Sequence, residues 1–377
     1  MDLSILAFVL VLLLAFANGA NDVSKAIATL VGSGVTDYRI AILWGTVWTV
    51  IGAGLSGLVA TAMVKTFSQG LLAPDTSATP ALAAAVLTGA VLWVLVASWS
   101  GLPVSTTHAL TGAIVGVGLV AFGSEGLLWE GIGRKIVLPL ILSPVLALMV
   151  SVIAHPLVRT LAARWEGACL CVMPTARALV MIDAQGATRT LFQTAALGQP
   201  VVAVPVQCDR AGLSGLVVGL DSIHWCSSGL ASLARGTNDA PKIAAILLLG
   251  SAVTSWSSAA SQGAALIGVA VAMGVGSYVA GLRVTQVLAE KITRMDHGEG
   301  LSANLTTSSL VFVSAVMGLP VSTTHVSSSA IIGIGLLKGV RAVRWPTVRD
   351  MVLAWVVTLP ASGLLSALAY HLLTRLV

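Results

Sequence analysis

Apolar stretches alternate with short polar islands along this chain. In the first half the stretches fall near residues 3–17, 26–36, 40–64, 81–100, 104–122 and 136–158. In the second they fall near 220–234, 243–253, 257–281, 298–317, 321–339 and 353–375, each 217 residues further on. Segments 40–64 and 136–158, with their counterparts, reach the roughly 20 residues a helix needs to cross a bilayer. Stretches 3–17 and 26–36 do not, and Gly101 and Pro103 separate 81–100 from 104–122. Short apolar runs interrupted by Gly, Pro and Asn at matching places in two halves predict broken helices around a binding site. Irregular backbone is tolerated at membrane depth only where protein or a cavity satisfies its hydrogen bonds.

The polar islands repeat at the same spacing. Gly101-Leu102-Pro103-Val104-Ser105-Thr106-Thr107-His108 recurs unchanged as Gly318-Leu319-Pro320-Val321-Ser322-Thr323-Thr324-His325. Asn21-Asp22 recurs as Asn238-Asp239, with Lys25 and Lys242 in register. The pattern predicts an all-α polytopic membrane protein of two repeats, residues 1–158 and 212–377, sharing one composite site. Loop 283–294 carries Arg283, Lys291 and Arg294, while its counterpart 66–77 has no basic residue. Equivalent loops on opposite sides of the membrane would differ in this way, so the repeats are expected to be inverted. The loops ending at Lys135 and Arg349 are both basic and do not discriminate.

Residues 159–211 read differently. Five arginines stand against three acids, and Ala178–Ile182 and Pro200–Val206 are short runs rich in β-formers. A small β-containing polar insertion, on the cytoplasmic side, is expected there. The Cys169-x-Cys171 pair, with Cys208 and Cys226, falls in or beside it, and no matching histidine pair supports a metal site.

Composition agrees with the membrane reading. The chain is 56% hydrophobic and 9% charged, against about 25% charged in a typical soluble domain, and its mean hydropathy is +0.96. The net charge of +5 reflects basic loops rather than a nucleic-acid partner. The stretch 3–17 lacks a basic leader and runs into a polar motif, so it is expected to belong to the mature protein.

Chemistry is carried by the repeated islands. Pro103 is expected at the start of a helix, leaving unpaired N–H groups and the hydroxyls of Ser105, Thr106 and Thr107 around its first turn. Such a start is a ready anion site. Two of them, from 105–107 and Ser322, Thr323 and Thr324, would wrap a tetrahedral oxyanion. A single Ser-Thr-Thr could merely satisfy a kinked helix, but its unchanged repetition favours binding. Asp22 and Asp239 cost about 2.5–3.5 kcal/mol at membrane depth unless partnered. Their partners could be a cation held with Asn21 and Asn238, or the lysines Lys25 and Lys242 three positions on. His108 and His325 are either packing residues or proton carriers. No strand–nucleophile–helix elbow surrounds either serine, and no Walker loop or dinucleotide fingerprint occurs, so an enzyme is not expected.

At Gly19-Ala20-Asn21-Asp22-Val23, Gly236-Thr237-Asn238-Asp239-Ala240 and both octapeptides, the chain resembles the inorganic phosphate transporter (PiT) family and its bacterial-type permeases. The resemblance covers both hydrophobic halves and omits 159–211. It implies an inverted-repeat transporter of about twelve membrane segments, taking up inorganic phosphate with Na⁺ or H⁺ through these motifs, in a bacterial plasma (inner) membrane. No cofactor beyond the co-transported ion is implied, and the oligomeric state is left open, a homodimer included. Many members have a small or amide residue where Lys25 and Lys242 stand, and some carry glutamates where this chain has Trp48 and Asn304. Relatives of the family also move sulfate, so an oxyanion permease of other selectivity is the alternative. An anion channel or a sensor fits the two broken-helix repeats less well.

Overall fold

The computed structural model describes residues 3–76, 79–163, 169–173, 176–182, 188–194, 199–203, 219–249 and 259–376. The first half runs α1 (Leu3–Asp22), α2 (Ser24–Gly32), α3 (Tyr38–Val59), α4 (Thr61–Gln69), α5 (Pro80–Ser100), α6 (Thr106–Phe122), α7 (Trp129–Ile132) and α8 (Leu138–Ala163). The second runs α9 (Leu220–Leu249), α10 (Ala259–Ala280), α11 (Leu282–Glu290), α12 (His297–Val316), α13 (Thr323–Leu337) and α14 (Trp345–Leu376). Helices α12 and α13 begin 217 residues after α5 and α6. Between the halves, β1 (Cys169–Met173) pairs antiparallel with β4 (Gln199–Ala203), and β2 (Ala176–Ile182) with β3 (Thr188–Thr194). The side chains of Cys169, Cys171 and Cys208 lie outside the described residues; Cys226, on α9, is an exposed free thiol.

Among the described residues, six helical stretches are long and apolar enough to cross a membrane, and α6 and α13 are shorter apolar helices. Large apolar side chains such as Leu58, Trp99, Ile153 and Val279 point outward, as lipid-facing surfaces require. The halves exchange partners. Helix α1 packs on α10 of the other half, and α9 on α3. Helix α14 covers α5 and α6, while α8 covers α12 and α13.

The α6–α14 crossing shows how this is achieved. A Cβ on Gly112 would lie 2.2 Å from the Leu359 carbonyl oxygen, and one on Gly116 2.3 Å from that of Gly363. The two glycines are spaced four apart, the small-xxx-small arrangement that brings membrane helices into backbone contact. Gly116→Val is therefore expected to lower stability by about 1–3 kcal/mol through overpacking. Thermal unfolding of the purified protein in detergent reads it, and an unchanged midpoint would contradict the close crossing.

The breaks in the helices differ from the sequence expectation in two places. At Asn21-Asp22 the chain is not unwound: Val23 stays in the right-handed helical region (φ −55°, ψ −34°), and α1 and α2 form one slightly irregular apolar rod. At Asn238-Asp239 α9 runs through without interruption, Pro241 included. Val23 and the residues around it have helix-compatible side chains, so the polar residues alone do not force an opening. The true breaks are at the octapeptides. Gly101 (φ 74°) and Gly318 (φ 68°) close α5 and α12 in the left-handed conformation, with Leu102 N–H donating to Ala97 O and Leu319 N–H to Ser314 O, both at 2.9 Å. Proline next in line keeps Leu102 and Leu319 out of helical geometry. The following helices start at Thr106 and Thr323, so Pro103 and Pro320 precede the first turn instead of forming it. Ser105 and Ser322 are the N-caps, because a serine oxygen can take the orphan N–H of the third helical residue.

Candidate functional site

Each octapeptide thus places a capped helix start inside its half, at Thr106 and Thr323. Ser105 Oγ accepts from the His108 N–H at 3.3 Å, and Ser322 Oγ from the His325 N–H at 3.2 Å. The two starts interlock. Thr107 Oγ1 donates to the Val321 carbonyl at 3.4 Å, and Thr324 Oγ1 to the Val104 carbonyl at 2.7 Å. Val104 and Val321 are themselves equivalent positions of the two extended Leu-Pro-Val segments, so the hydroxyl of each repeat secures the break of the other.

The Asn-Asp islands close over this junction. Lys25 Nζ contacts Asp22 Oδ1, the Asn21 carbonyl at 2.9 Å and Asn21 Oδ1 at 2.7 Å. Lys242 Nζ reaches Asp239 Oδ1 at 3.2 Å, the Val321 carbonyl at 3.1 Å and Thr107 Oγ1 at 2.9 Å. Asn21 ties α1 to the first break, accepting from Val104 N–H at 3.2 Å and donating to the Leu102 carbonyl at 3.0 Å. Asn238 Nδ2 donates to Asp239 Oδ1 at 2.8 Å and lies 3.4 Å from the Val321 carbonyl. Thr323 Oγ1 donates to Asp22 Oδ2 at 3.2 Å, joining a helix start of one repeat to a carboxylate of the other.

All six hydroxyl residues, both Asn-Asp pairs, both lysines and both histidines therefore gather in one place. None of these side chains is more than 6% exposed, so the structure is closed around them. His108 and His325 lie against each other, tilted by 49° with centroids 4.6 Å apart, and His325 also packs on Trp355 at 4.0 Å. His325 Nδ1 donates to the Leu140 carbonyl at 3.2 Å, which leaves Nε2 as the acceptor nitrogen.

Two residues that the motif reading passed over also belong here. Asn18 Nδ2 lies 3.0 Å from Thr106 Oγ1 and 3.2 Å from both Asp22 Oδ2 and Asp239 Oδ2, bridging the two aspartates. Arg235, on α9, is fully buried and donates through Nη2 to Thr49 Oγ1 at 2.5 Å and Ser277 Oγ at 3.4 Å. Their signal in the sequence was a polar side chain inside an apolar stretch at equivalent positions, 217 apart, but with different residue types.

Several buried polar atoms in this cluster have no hydrogen-bond partner among the described residues: Asn18 Oδ1, Asn238 Oδ1, His108 Nδ1, His325 Nε2, and Nε and Nη1 of Arg235. Each such group costs about 1–3 kcal/mol when left unsatisfied, so a cluster of them is where a polar ligand stabilises most. Chemically, the site offers hydroxyls, two helix N-termini and cationic groups to an anion, and carboxylate oxygens to a proton or a cation.

Residues 18–366 match the family described as "Phosphate transporter family". A Bacillus subtilis protein named "Probable low-affinity inorganic phosphate transporter" is 29% identical, over 99% of this chain and 98% of its own. A Mycobacterium tuberculosis protein of the same name is 30% identical, over 99% of this chain and 78% of its own. Among solved structures, "The sodium-dependent phosphate transporter" superposes with a TM-score of 0.77 at 22% identity, each chain covered in full; it shows the shared fold. With its match extending over nearly the whole chain, this protein belongs to the phosphate transporter family.

Proposed function

We propose that this integral membrane protein is a secondary active transporter that takes up inorganic phosphate together with a cation across a bacterial plasma (inner) membrane. The observation that carries the reading is the meeting of two identical Ser-Thr-Thr helix starts, one from each repeat, beside buried polar atoms that lack partners. Residues Ser105, Thr106, Thr107, Ser322, Thr323 and Thr324 would receive the oxyanion, with helix N-termini supplying N–H groups and favourable dipole. Asp22 and Asp239 sit among these donors, and a carboxylate oxygen accepts only from a ligand that carries its own O–H. Protonated phosphate does and sulfate does not, which supports phosphate over the sulfate alternative by the same logic that makes unpaired polar groups discriminating.

The lysines bear on the driving ion. Lys25 Nζ occupies the oxygens of Asn21 and Asp22 that a Na⁺ would need, and Lys242 stands likewise at Asp239. An ammonium already placed there supports H⁺ as the coupled cation, moved through the Asp–Lys pairs. Uptake of labelled phosphate into proteoliposomes is expected to run equally in Na⁺ and choline at fixed pH, and to rise with an inward proton gradient. Dependence on Na⁺ with no response to the proton gradient would reverse this assignment.

Alternating access across about twelve membrane segments follows if the repeats are inverted, since the closed site can then open to either side by movement of one repeat against the other. The domain division 1–158, 159–211 and 212–377 goes with that reading. Cysteines at Asp75 and Lys291, on a background lacking the four native cysteines, are expected to react with impermeant reagents from opposite faces. Labelling of both from one face would remove inversion.

A further inference from the structure

We infer that Arg235 is a further oxyanion-recognition residue of this site, supplying a positive charge that the Asp–Lys pairs do not cancel. The inference rests on the phosphate reading above and deepens it.

Position comes first. Arg235 shares a helix face with Asn238, Asp239 and Lys242, which follow it at three, four and seven residues. In the first repeat its equivalent is Asn18, the side chain that touches Thr106 and both aspartates. Arg235 therefore occupies, on α9, the position equivalent to the residue that in the other half touches Thr106 and both aspartates. Its backbone is held there by close helix contact: a Cβ on Gly236 would lie 2.4 Å from the Thr49 carbonyl oxygen, and one on Gly52 2.1 Å from that of Leu233.

Hydrogen bonding comes next. A guanidinium carries five N–H donors. Here only Nη2 is engaged, by Thr49 and Ser277, and Nε and Nη1 have no partner among the described residues. The side chain is 1% exposed, so water does not meet that demand from bulk.

Asp22 is paired with Lys25 and Asp239 with Lys242, two carboxylates against two ammonium groups. Arg235 forms no ion pair among the described residues, and the carboxylates that bear on it electrostatically are those same two. The cluster thus holds one guanidinium charge beyond balance. A lone buried charge is strongly unfavourable, and a single oxyanion both neutralises it and accepts the open N–H groups. Arginine's planar array of donors suits a phosphate oxygen pair better than any other side chain.

The test uses the full chain, purified and reconstituted, comparing the parent protein with Arg235→Met and Arg235→Lys. Two readouts are taken: the KM and maximal rate of labelled phosphate uptake, and the rise in melting temperature that phosphate produces over chloride in detergent. Arg235→Met is expected to fold, to lose most of the phosphate-induced thermal shift and to raise KM roughly 10- to 100-fold, the loss expected for charge-assisted hydrogen bonds. Arg235→Lys should be intermediate, since it keeps charge without the planar array. A parental KM and thermal shift in Arg235→Met, with only a lower melting temperature or maximal rate, would show a packing role and overturn the inference. If Arg235→Met fails to fold, a parental KM in Arg235→Lys overturns it instead. A parent protein that takes up no phosphate would remove the transport reading itself, a result distinct from either.

Discussion

Replacing Asp22 by asparagine is expected to abolish phosphate uptake and to destabilise the protein by about 3–5 kcal/mol, the cost of breaking a buried ion pair from one side. Asp22 is 1% exposed and holds Lys25, Asn18 and Thr323 together. The asparagine keeps the shape but leaves the Lys25 ammonium facing only neutral oxygens. Lys25→Met alone does comparable damage, because it strands the carboxylate. The double variant Asp22→Asn with Lys25→Met carries neither orphan, and it recovers folded yield and melting temperature relative to both single variants. Melting curves of the four proteins, with uptake assays alongside, give the coupling directly. Additive losses in the double variant would mean that the lysine is not the partner of this aspartate, and that a bound cation is.

The second large effect falls on the caps. On the proposed site, Ser105→Ala and Ser322→Ala are each expected to raise the KM for phosphate roughly 10- to 100-fold, the loss of a hydroxyl donor to a charged ligand being worth about 1.5–3 kcal/mol. Together the two effects are expected to multiply, since the proposed site takes one serine from each repeat. Alanine also removes the cap on the His108 or His325 N–H, costing about 1 kcal/mol of stability. Glycine at the same positions separates the two roles: it is tolerated as an N-cap at a cost of a few tenths of a kcal/mol but brings no hydroxyl. Ser105→Gly with a parental KM would assign the serine to capping alone.

The residues that cluster at this junction were legible in the sequence where both halves use the same one. Ser105 and Ser322, Asp22 and Asp239, and Lys25 and Lys242 all stand out because the repeat prints them twice. Asn18 and Arg235 escaped because the halves diverge there, and a search for identity passes over a pair that differs in type. The helix breaks were half legible. Gly101 and Pro103 dictate an interruption through φ and a missing N–H, whereas Asn21-Asp22 marks polarity only and the backbone carries on through it. Ser105, not Pro103, caps the helix that starts at Thr106, because its hydroxyl satisfies an N–H that the proline leaves untouched. The exchange of α8 and α14 between halves could not be read at all. In a membrane protein the lipid-facing and protein-facing sides of a helix are both apolar, so hydrophobic periodicity does not show which neighbour it packs on. Glycines such as Gly112 and Gly116 carry that information, and they become meaningful only once the crossing at Gly363 is known.

Uptake of labelled phosphate by the reconstituted protein, beside a Ser105→Ala, Ser322→Ala double variant and in the presence of arsenate or sulfate, tests the composite oxyanion site most directly. Saturable uptake by the parent protein, competition by arsenate well above that by sulfate, and a raised KM in the double variant with its fold intact are expected. Uptake by the double variant at the parental KM, or stronger competition by sulfate than by arsenate, would contradict the composite site.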